Sequence, residues 1–187
     1  MRGRVIALLS VAALGLGACG DDEGGDAALE PAIPAQTPTQ TTPATTATTG
    51  KPFELASIKV AKDTSKKPTI TKPSGDPPTK LVTKDIVTGK GAAVKSGDKL
   101  EMHYLGALFD GEQFEASWDG GEPFPVTIGQ GEVIPGWDQG IIGMKQGGRR
   151  LLVIPPDLAY GEAGSGASIP PDATLIFVVD VKKRTAA

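Results

Sequence analysis

Apolar and polar positions from residue 80 onward mostly follow the two-residue period of β-strands. Such alternation, or a density of β-branched residues bounded by glycine and proline, is typical of strands packed on one side. Prolines inside one of these segments, at positions 123 and 125, indicate an interrupted strand at the edge of a sheet. The pattern predicts strands at residues 80–88, 99–108, 113–116, 122–129, 149–154 and 174–182.

One short segment follows a helical period instead. Pro135 suits the first position of a helix, and Gly143 is typical of the end of one. Apolar residues recur between them at helical spacing, at Trp137, Ile141 and Met144. The elements together predict an α+β fold: an antiparallel β-sheet half-wrapped around one short α-helix, in which the sheet buries only the face that the helix covers. From spacing alone, Trp137 is either a core residue or the floor of a pocket.

The first 18 residues predict a signal peptide. Two arginines precede an apolar run of about a dozen residues, which is too short for an ordinary membrane span. The run ends in Leu-Gly-Ala-Cys, which resembles the bacterial lipobox, so Cys19 is the predicted lipidation site and residues 1–18 the lipoprotein signal peptide. The alternative is an ordinary cleaved signal with an incidental cysteine.

Residues 19–65 form the next predicted unit, a lipid-anchored linker of low complexity. The stretch is acidic and then rich in threonine, proline and alanine, so it has too little apolar surface to offset chain entropy. It therefore predicts a disordered tether. The segment FELASIKV at 53–60 also fits a short strand, but we place the folded domain at residues 66–187.

Composition excludes several classes of function. The formal net charge is -3, and acids and bases balance from residue 51 onward, which is unlike a nucleic-acid binder. A single cysteine and a single histidine cannot build a zinc site or an internal disulfide. His103 lies in the middle of a predicted strand, on the face opposite Met102 and Tyr104, which disfavours a Ser-His-Asp triad.

Ordered motifs over residues 79–183 resemble one enzyme family. They are MHYLGALFDGEQFEAS, EPFPVTIGQGEVIPGWDQGIIGMKQGG, PPDLAYG and IPPDATLIFVVDV. Together they are similar to the FKBP-type peptidyl-prolyl cis-trans isomerases, whose fold is a half-wrapped antiparallel sheet around a short helix. The resemblance implies an enzyme without metal or cofactor, and it favours the pocket over the core interpretation of Trp137.

The resemblance also implies a set of site residues. Trp137 would form the floor that receives the proline ring, and Tyr160 and the backbone N–H of Ile134 would donate hydrogen bonds to ligand carbonyls. Glu115 stands where members often carry aspartate beside the pocket tyrosine, and Ser165 and Ser168 replace apolar loop residues. The walls and lining would be Tyr104, Phe114, Phe124, Phe177, Val133, Ile134 and Ile169.

The implied activity is rotation about Xaa-Pro bonds. The expected partners are proline-containing unfolded or partly folded proteins, macrolide ligands, and a membrane reached through lipidated Cys19, with no nucleic acid. The expected location is the bacterial cell envelope, outside the cytoplasm and anchored to a membrane by lipid. The alternatives are a module that grips proline segments without turnover and a structural envelope lipoprotein.

Overall fold

A computed structural model describes residues 51–187. The predicted signal peptide, Cys19 and the first part of the predicted tether lie outside the described residues. Within 51–187, no helix is both long and apolar enough to cross a bilayer.

Antiparallel strands form the main sheet, in the spatial order β1-β7-β8-β3-β4, with β5 also paired to β3. A separate ladder joins β2 and β6. The predicted strands agree with this sheet, and the α+β prediction is confirmed. The strands are β1 Val82–Val87, β2 Lys90–Ala93, β3 Lys99–Leu108, β4 Gln113–Ala116, β5 Phe124–Thr127, β6 Lys145–Gln146, β7 Arg149–Ile154 and β8 Leu175–Thr185.

Two local predictions differ from the structure. The sequence pattern places residues 88–91 between two strands, yet strand β2 begins at Lys90. It pairs with β6, and neither of these two short strands was predicted. The helix α1 spans Pro135–Gly140 and ends before Gly143, because Ile141 already closes its last turn by donating to the Trp137 carbonyl. Ile141 and Met144 are nevertheless buried, as their spacing predicts.

Helix α1 lies directly on strand β7, across what we call the inner face of the sheet. Two glycines one helical turn apart, Gly136 and Gly140, permit this approach. A Cβ at Gly136 would collide with the Ile154 side chain, and one at Gly140 would lie 2.8 Å from Cδ2 of Leu152. Because of this close contact, Trp137, which directly follows Gly136, lies deep in the inner core.

The outer face of the sheet is also buried, so the prediction that only the helix-covered face is buried is wrong. Residues 53–70, which we call the extension, cover it. Ile58 is 3% exposed and packs among outer-face residues of β7 and β8. Backbone bridges Glu54↔Ser74 and Val60↔Ile70 fold the extension on itself. The packed part of the chain therefore begins upstream of residue 66.

A buried ion pair fastens the extension to the sheet. Arg149, with no exposed surface, donates from Nε and Nη2 to the two carboxylate oxygens of Asp180, each at 2.6 Å. Its remaining donors reach the backbone carbonyls of Ala61 at 2.7 Å and Lys66 at 2.9 Å. The guanidinium thus joins β7, β8 and the extension in one hydrogen-bonded network.

Candidate functional site

Aromatic rings from four elements converge on the inner face around Trp137. The indole lies 5.2 Å from the Tyr104 ring and 5.2 Å from the Phe177 ring, and 6.4 Å from the Phe124 ring, all edge to face. Phe114 completes the set at 5.7 Å from Phe177. Edge-to-face contacts at these separations are favourable for aromatic pairs. We call this set of rings the cup.

The cup has a buried floor and a half-buried wall. Trp137 and Phe177 are each 4% exposed, whereas Tyr104, Phe114 and Phe124 are half-buried. The apolar lining residues predicted from sequence pack in the same cluster, namely Val133, Ile134 and Ile169. All eight apolar residues of the predicted site therefore lie together on one face.

Gly106 makes room for the rings, and sequence reasoning did not single it out. It pairs with Phe177 across the sheet and with Glu115 on the other side. A Cβ at this position would lie 2.7 Å from Cζ of Phe114 and 2.8 Å from Cε1 of Phe177. A glycine inside an alternating strand is the signal of such a close approach.

A short loop before α1 borders the cup, and the Asp138 side chain holds this loop in place. The Asp138 carboxylate accepts the N–H of Gly129 at 2.7 Å and that of Gly131 at 3.0 Å. Glu132 accepts the N–H of Thr127 at 2.8 Å. These bonds fix the loop from two sides, so the residues that follow it have a defined position. Asp138 is a second residue that the sequence analysis missed.

Two donors in the cup have no partner in the described part of the chain. The N–H of Ile134 bonds to no described group, whereas the Ile134 carbonyl accepts from the N–H of Trp137 at 2.9 Å and that of Asp138 at 3.3 Å. The indole Nε1 of Trp137 is buried without a partner, as is Nε1 of Trp118 on the outer face. Because both indole nitrogens are closed to solvent, the Ile134 N–H is the donor that a ligand carbonyl can reach.

Tyr160 and Glu115 lie beside the apolar cluster instead of inside it. The Tyr160 side chain is 40% exposed, and Glu115 is exposed on β4. Burial, followed by the nearby Glu115 carboxylate, raises the pKa of Tyr104 above its usual value. Burial, followed by the same carboxylate, also raises the pKa of Tyr160. Both phenols therefore stay protonated at neutral pH and can donate hydrogen bonds.

The loop that carries Tyr160 is ordered by its own backbone bonds. The N–H of Ser165 donates to the Ile169 carbonyl at 2.8 Å, and the N–H of Ile169 donates back at 3.1 Å. The N–H of Asp172 reaches the Gly161 carbonyl at 2.9 Å. This bridge turns Ile169 inward, where it is 7% exposed, while Ser168 stays at the surface.

His103 lies on the outer face, away from the cup. Its ring stacks on Trp118 at 4.1 Å, and Nδ1 lies 3.0 Å from Oγ of Ser117. Asp180 is its cross-strand neighbour, but both carboxylate oxygens of Asp180 are bonded to Arg149. A serine, histidine and carboxylate are thus close together without the connected bonds of a catalytic triad.

Grooves elsewhere on the domain share no residue with the predicted site. One of about 290 Å³ lies between the extension and strand β3, lined by residues such as Pro68, Ile70 and Leu105. Another of about 410 Å³ is lined mainly by polar side chains of β3, β5 and β8. No group of three or more potential metal ligands occurs in residues 51–187. The cup is distinguished from both grooves by its converging rings and unpaired donors.

Comparison with known proteins identifies the family. Residues 90–182 match the profile of the FKBP-type peptidyl-prolyl cis-trans isomerase family. The FK506-binding protein of Streptomyces anulatus is 50% identical over 117 residues, which cover 62% of this chain and 94% of that protein. The FK506-binding protein of Neisseria meningitidis serogroup A is 45% identical over 103 residues, covering 55% of this chain and 94% of that protein.

Solved structures give the same result. The structure of AtFKBP13 aligns with a TM-score of 0.53 at 39% identity, covering 56% of this chain and 93% of that one. FkpA from Escherichia coli aligns with a TM-score of 0.54 at 37% identity, covering 70% of this chain and 53% of that one. The chain belongs to the FKBP-type peptidyl-prolyl cis-trans isomerases, and the family and enzyme class predicted from sequence are confirmed.

Proposed function

We propose that the cup catalyses rotation about Xaa-Pro bonds in proteins that fold outside the cytoplasmic membrane. The observation that carries this proposal is the convergence of four aromatic rings and a nearly buried indole, with neighbouring centroids 5.2–6.4 Å apart. Slow proline isomers leave partly folded chains exposed to aggregation, so proline-containing segments of such chains are the substrates.

The proposed mechanism is selective binding of the twisted amide. Rotation faces a barrier of about 20 kcal/mol because resonance makes the planar amide stable and charge-separated. An apolar cup disfavours that charge separation more than it disfavours the twisted amide, in which resonance is lost. Each 1.4 kcal/mol of such preference accelerates rotation about tenfold. No nucleophile is needed.

Individual residues have defined roles in this mechanism. The proline ring stacks on Trp137 between the walls formed by Tyr104 and Phe177. The N–H of Ile134 and the hydroxyl of Tyr160 donate to substrate carbonyls, which positions the rotating bond. Glu115 and His103 transfer no proton. Glu115 lies close enough to Tyr104 for its carboxylate to contribute, after burial, to the raised pKa of the Tyr104 hydroxyl.

The same cup is the proposed binding site for macrolides. The names of the Streptomyces and Neisseria relatives refer to FK506 binding, which supports this assignment. Phe124, Val133 and Ile169 would contact the apolar parts of such a ligand. A macrolide that binds here competes with peptide substrates, and Trp137→Ala weakens both.

The test is the exchange rate between proline isomers in a short peptide, measured by magnetization-exchange NMR. Trp137→Ala is expected to lower kcat/KM by about a hundredfold, because the floor that contacts the proline ring is removed. Trp118→Ala is the matched control: it removes the other tryptophan, on the outer face, and is expected to leave the rate of the folded protein unchanged.

Other outcomes distinguish the alternatives. An unchanged rate in Trp137→Ala rejects the cup as the catalytic site. Binding of the peptide without acceleration in the unsubstituted protein favours a module that grips proline segments. If neither binding nor acceleration responds to substitutions in the cup, the domain has a structural role in the envelope.

We also propose that the protein is a lipoprotein anchored through Cys19. The support is the sequence alone: a short apolar run ending in Leu-Gly-Ala-Cys, with the only cysteine of the chain at the position that is acylated in lipoproteins. Two or three acyl chains hold a protein on a membrane where one chain binds only marginally. The catalytic domain would then act outside the cytoplasm, near a membrane.

Mass spectrometry of the mature protein tests the anchor. We expect an N-terminus at Cys19 carrying acyl chains, and a Cys19→Ser variant that is released from the membrane fraction. An N-terminus at another residue, or an unmodified Cys19, contradicts the proposal without affecting the assignment of the cup.

A further inference from the structure

Charge is distributed unevenly over the domain. Residues 101–144 and 151–181 contain twelve aspartates and glutamates but no lysine or arginine. These two ranges supply every predicted residue of the cup and its surroundings. The lysines and arginines of the described residues all lie in 51–99, 145–150 and 182–184. The site is therefore built from acidic segments, although the domain as a whole has balanced charge.

Most of these acids have no cationic partner in the described part of the chain. Three do form ion pairs: Glu101 with Lys183, Asp119 with Lys67, and Asp180 with Arg149. The other nine form no ion pair within 4.0 Å in residues 51–187, although Asp110, Glu132 and Asp138 accept backbone N–H bonds. The nine are Asp110, Glu112, Glu115, Glu122, Glu132, Asp138, Asp157, Glu162 and Asp172.

Six of these carboxylates lie within two residues of a residue of the predicted site, and we call them the acidic rim. All are exposed except Asp138, which is half-buried. They come from separate parts of the chain: the turn before β4, β4 itself, the segment before β5, the loop before α1, α1, and the loop after Tyr160. The rim consists of Glu112, Glu115, Glu122, Glu132, Asp138 and Glu162.

The electrostatic effect of the rim reaches the cup itself. Glu115 contributes to the raised pKa of both Tyr104 and Tyr160, although burial is the larger cause for each. A carboxylate that acts on two hydroxyls of the site also acts on a ligand held between them. The segments that build the cup carry these carboxylates and no lysine or arginine, which favours a negative potential over the cup.

A second observation points to the kind of ligand. The backbone N–H of Ile134, beside the cup, bonds to no described group. A backbone carbonyl of a peptide supplies the acceptor that this donor lacks. A peptide that fills the cup projects its flanking side chains outward, where the acidic rim surrounds them.

We propose that the preferred substrates are proline segments flanked by lysine or arginine. This proposal rests on the proposed function of the cup and adds a charge preference to it. The rim attracts cationic flanks and repels acidic ones, which affects both encounter and binding. Such interactions are screened over about 8 Å at physiological ionic strength, so the preference is strongest at low salt.

A peptide series tests the preference. Three peptides share one Xaa-Pro core and carry two lysines, two glutamines or two glutamates in the flanks, and isomer exchange gives kcat/KM for each. At 20 mM NaCl we expect the lysine peptide to exceed the glutamate peptide by about tenfold, with the glutamine peptide between them. At 500 mM NaCl the ratio is expected to fall within about twofold.

Substitution of the rim locates the effect. The triple variant Glu112→Gln, Glu122→Gln, Glu162→Gln avoids the residues assigned to the cup and the Glu132 and Asp138 carboxylates that hold the loop before α1, and it keeps side-chain size. We expect it to reduce the ratio to about threefold or less, with little change for the glutamine peptide. The matched control is Glu54→Gln, Asp63→Asn, Asp76→Asn, which makes the same charge change in the N-terminal part of the domain and is expected to leave the ratio unchanged.

The outcomes separate this inference from the proposed function. Turnover of all three peptides at equal rates in 20 mM NaCl overturns the charge preference and leaves the isomerase assignment intact. If no peptide is turned over, the catalytic assignment fails. The charge preference is then tested by the dissociation constants of the lysine and glutamate peptides, and equal constants overturn it. An equal fall in the lysine-to-glutamate ratio of kcat/KM in both triple variants also overturns the proposal, because the net charge of the domain, and not the acidic rim, would then cause the preference.

Discussion

The two faces of the sheet are built from the same strands but hold different kinds of polar group. On the outer face, the Arg149 guanidinium is fully enclosed, and its bonds reach Asp180, Ala61 and Lys66. On the inner face, the backbone N–H of Ile134 has no described acceptor. Each face also encloses one unpaired indole nitrogen, Nε1 of Trp118 on the outer face and Nε1 of Trp137 on the inner face. The outer face therefore surrounds a buried charge with hydrogen bonds, whereas the inner face leaves a backbone donor for a ligand.

Breaking the buried ion pair should have the largest effect on stability. Arg149→Met leaves the Asp180 carboxylate buried without its cation, and we expect the free energy of unfolding to fall by about 3–5 kcal/mol. Urea denaturation followed by circular dichroism measures the change. Lys183→Met, which removes a surface pair with Glu101, is the control and should cost no more than about 1 kcal/mol. Similar losses in both variants would show that the buried pair contributes nothing special to the outer face.

The contribution of the extension is tested by shortening one buried side chain. Ile58→Ala should cost about 2–5 kcal/mol because it opens a cavity under residues that pack on β7 and β8. Ile142→Ala, at a side chain that is 44% exposed, should change stability by about 0.5 kcal/mol or less. Thermal unfolding of the two variants compares them. If they are equally stable, the outer face does not depend on the extension.

Crowding the rings should disturb the inner face selectively. Gly106→Ala places a methyl group against Phe114 and Phe177, and we expect a loss of about 1–3 kcal/mol together with a drop of at least about tenfold in kcat/KM. Gly120→Ala is the control, since its nearest neighbour, the Ser117 carbonyl oxygen, lies at 3.6 Å. Retention of full activity by Gly106→Ala would argue against a catalytic role for the ring arrangement.

The smallest expected effect concerns pH. Burial, followed by Lys182, lowers the pKa of His103, with Asp180 opposing the shift. The unfolded chain therefore binds a proton more readily than the folded one as pH falls below about 6.5, and the free energy of unfolding decreases toward acid pH. His103→Gln should reduce the difference between urea midpoints at pH 7.5 and pH 5.5. An identical difference in both proteins would assign the pH dependence to other groups.

Local patterns were sufficient for the inner face. Alternation located β3, β4 and β5, dense β-branched and apolar residues located β7 and β8, and the helical spacing after Pro135 located α1. Each of these signals lies within one short segment. The set of cup residues came from the family motifs, and the structure places its apolar members in one cluster.

The outer face could not be obtained in the same way. Phe53, Ile58 and Val60 are separated by polar residues and followed by prolines, and their partners lie about a hundred residues further along the chain, so no local pattern pairs them. One signal was present: β7 and β8 are nearly continuous in apolar residues instead of alternating. Such runs are typical of strands buried on both faces.

The two tryptophans of the chain give each face its own optical signal. Trp118 stacks on His103 and lies 5.6 Å below the Lys182 ammonium, whereas Trp137 is enclosed by rings in the cup. In a Trp118→Phe variant, indole fluorescence comes from the cup alone and changes when a proline segment enters. In a Trp137→Phe variant, indole fluorescence comes from Trp118 and responds to protonation of the His103 imidazole stacked on it. Ligand occupancy and proton uptake can therefore be followed separately in one protein without an added dye.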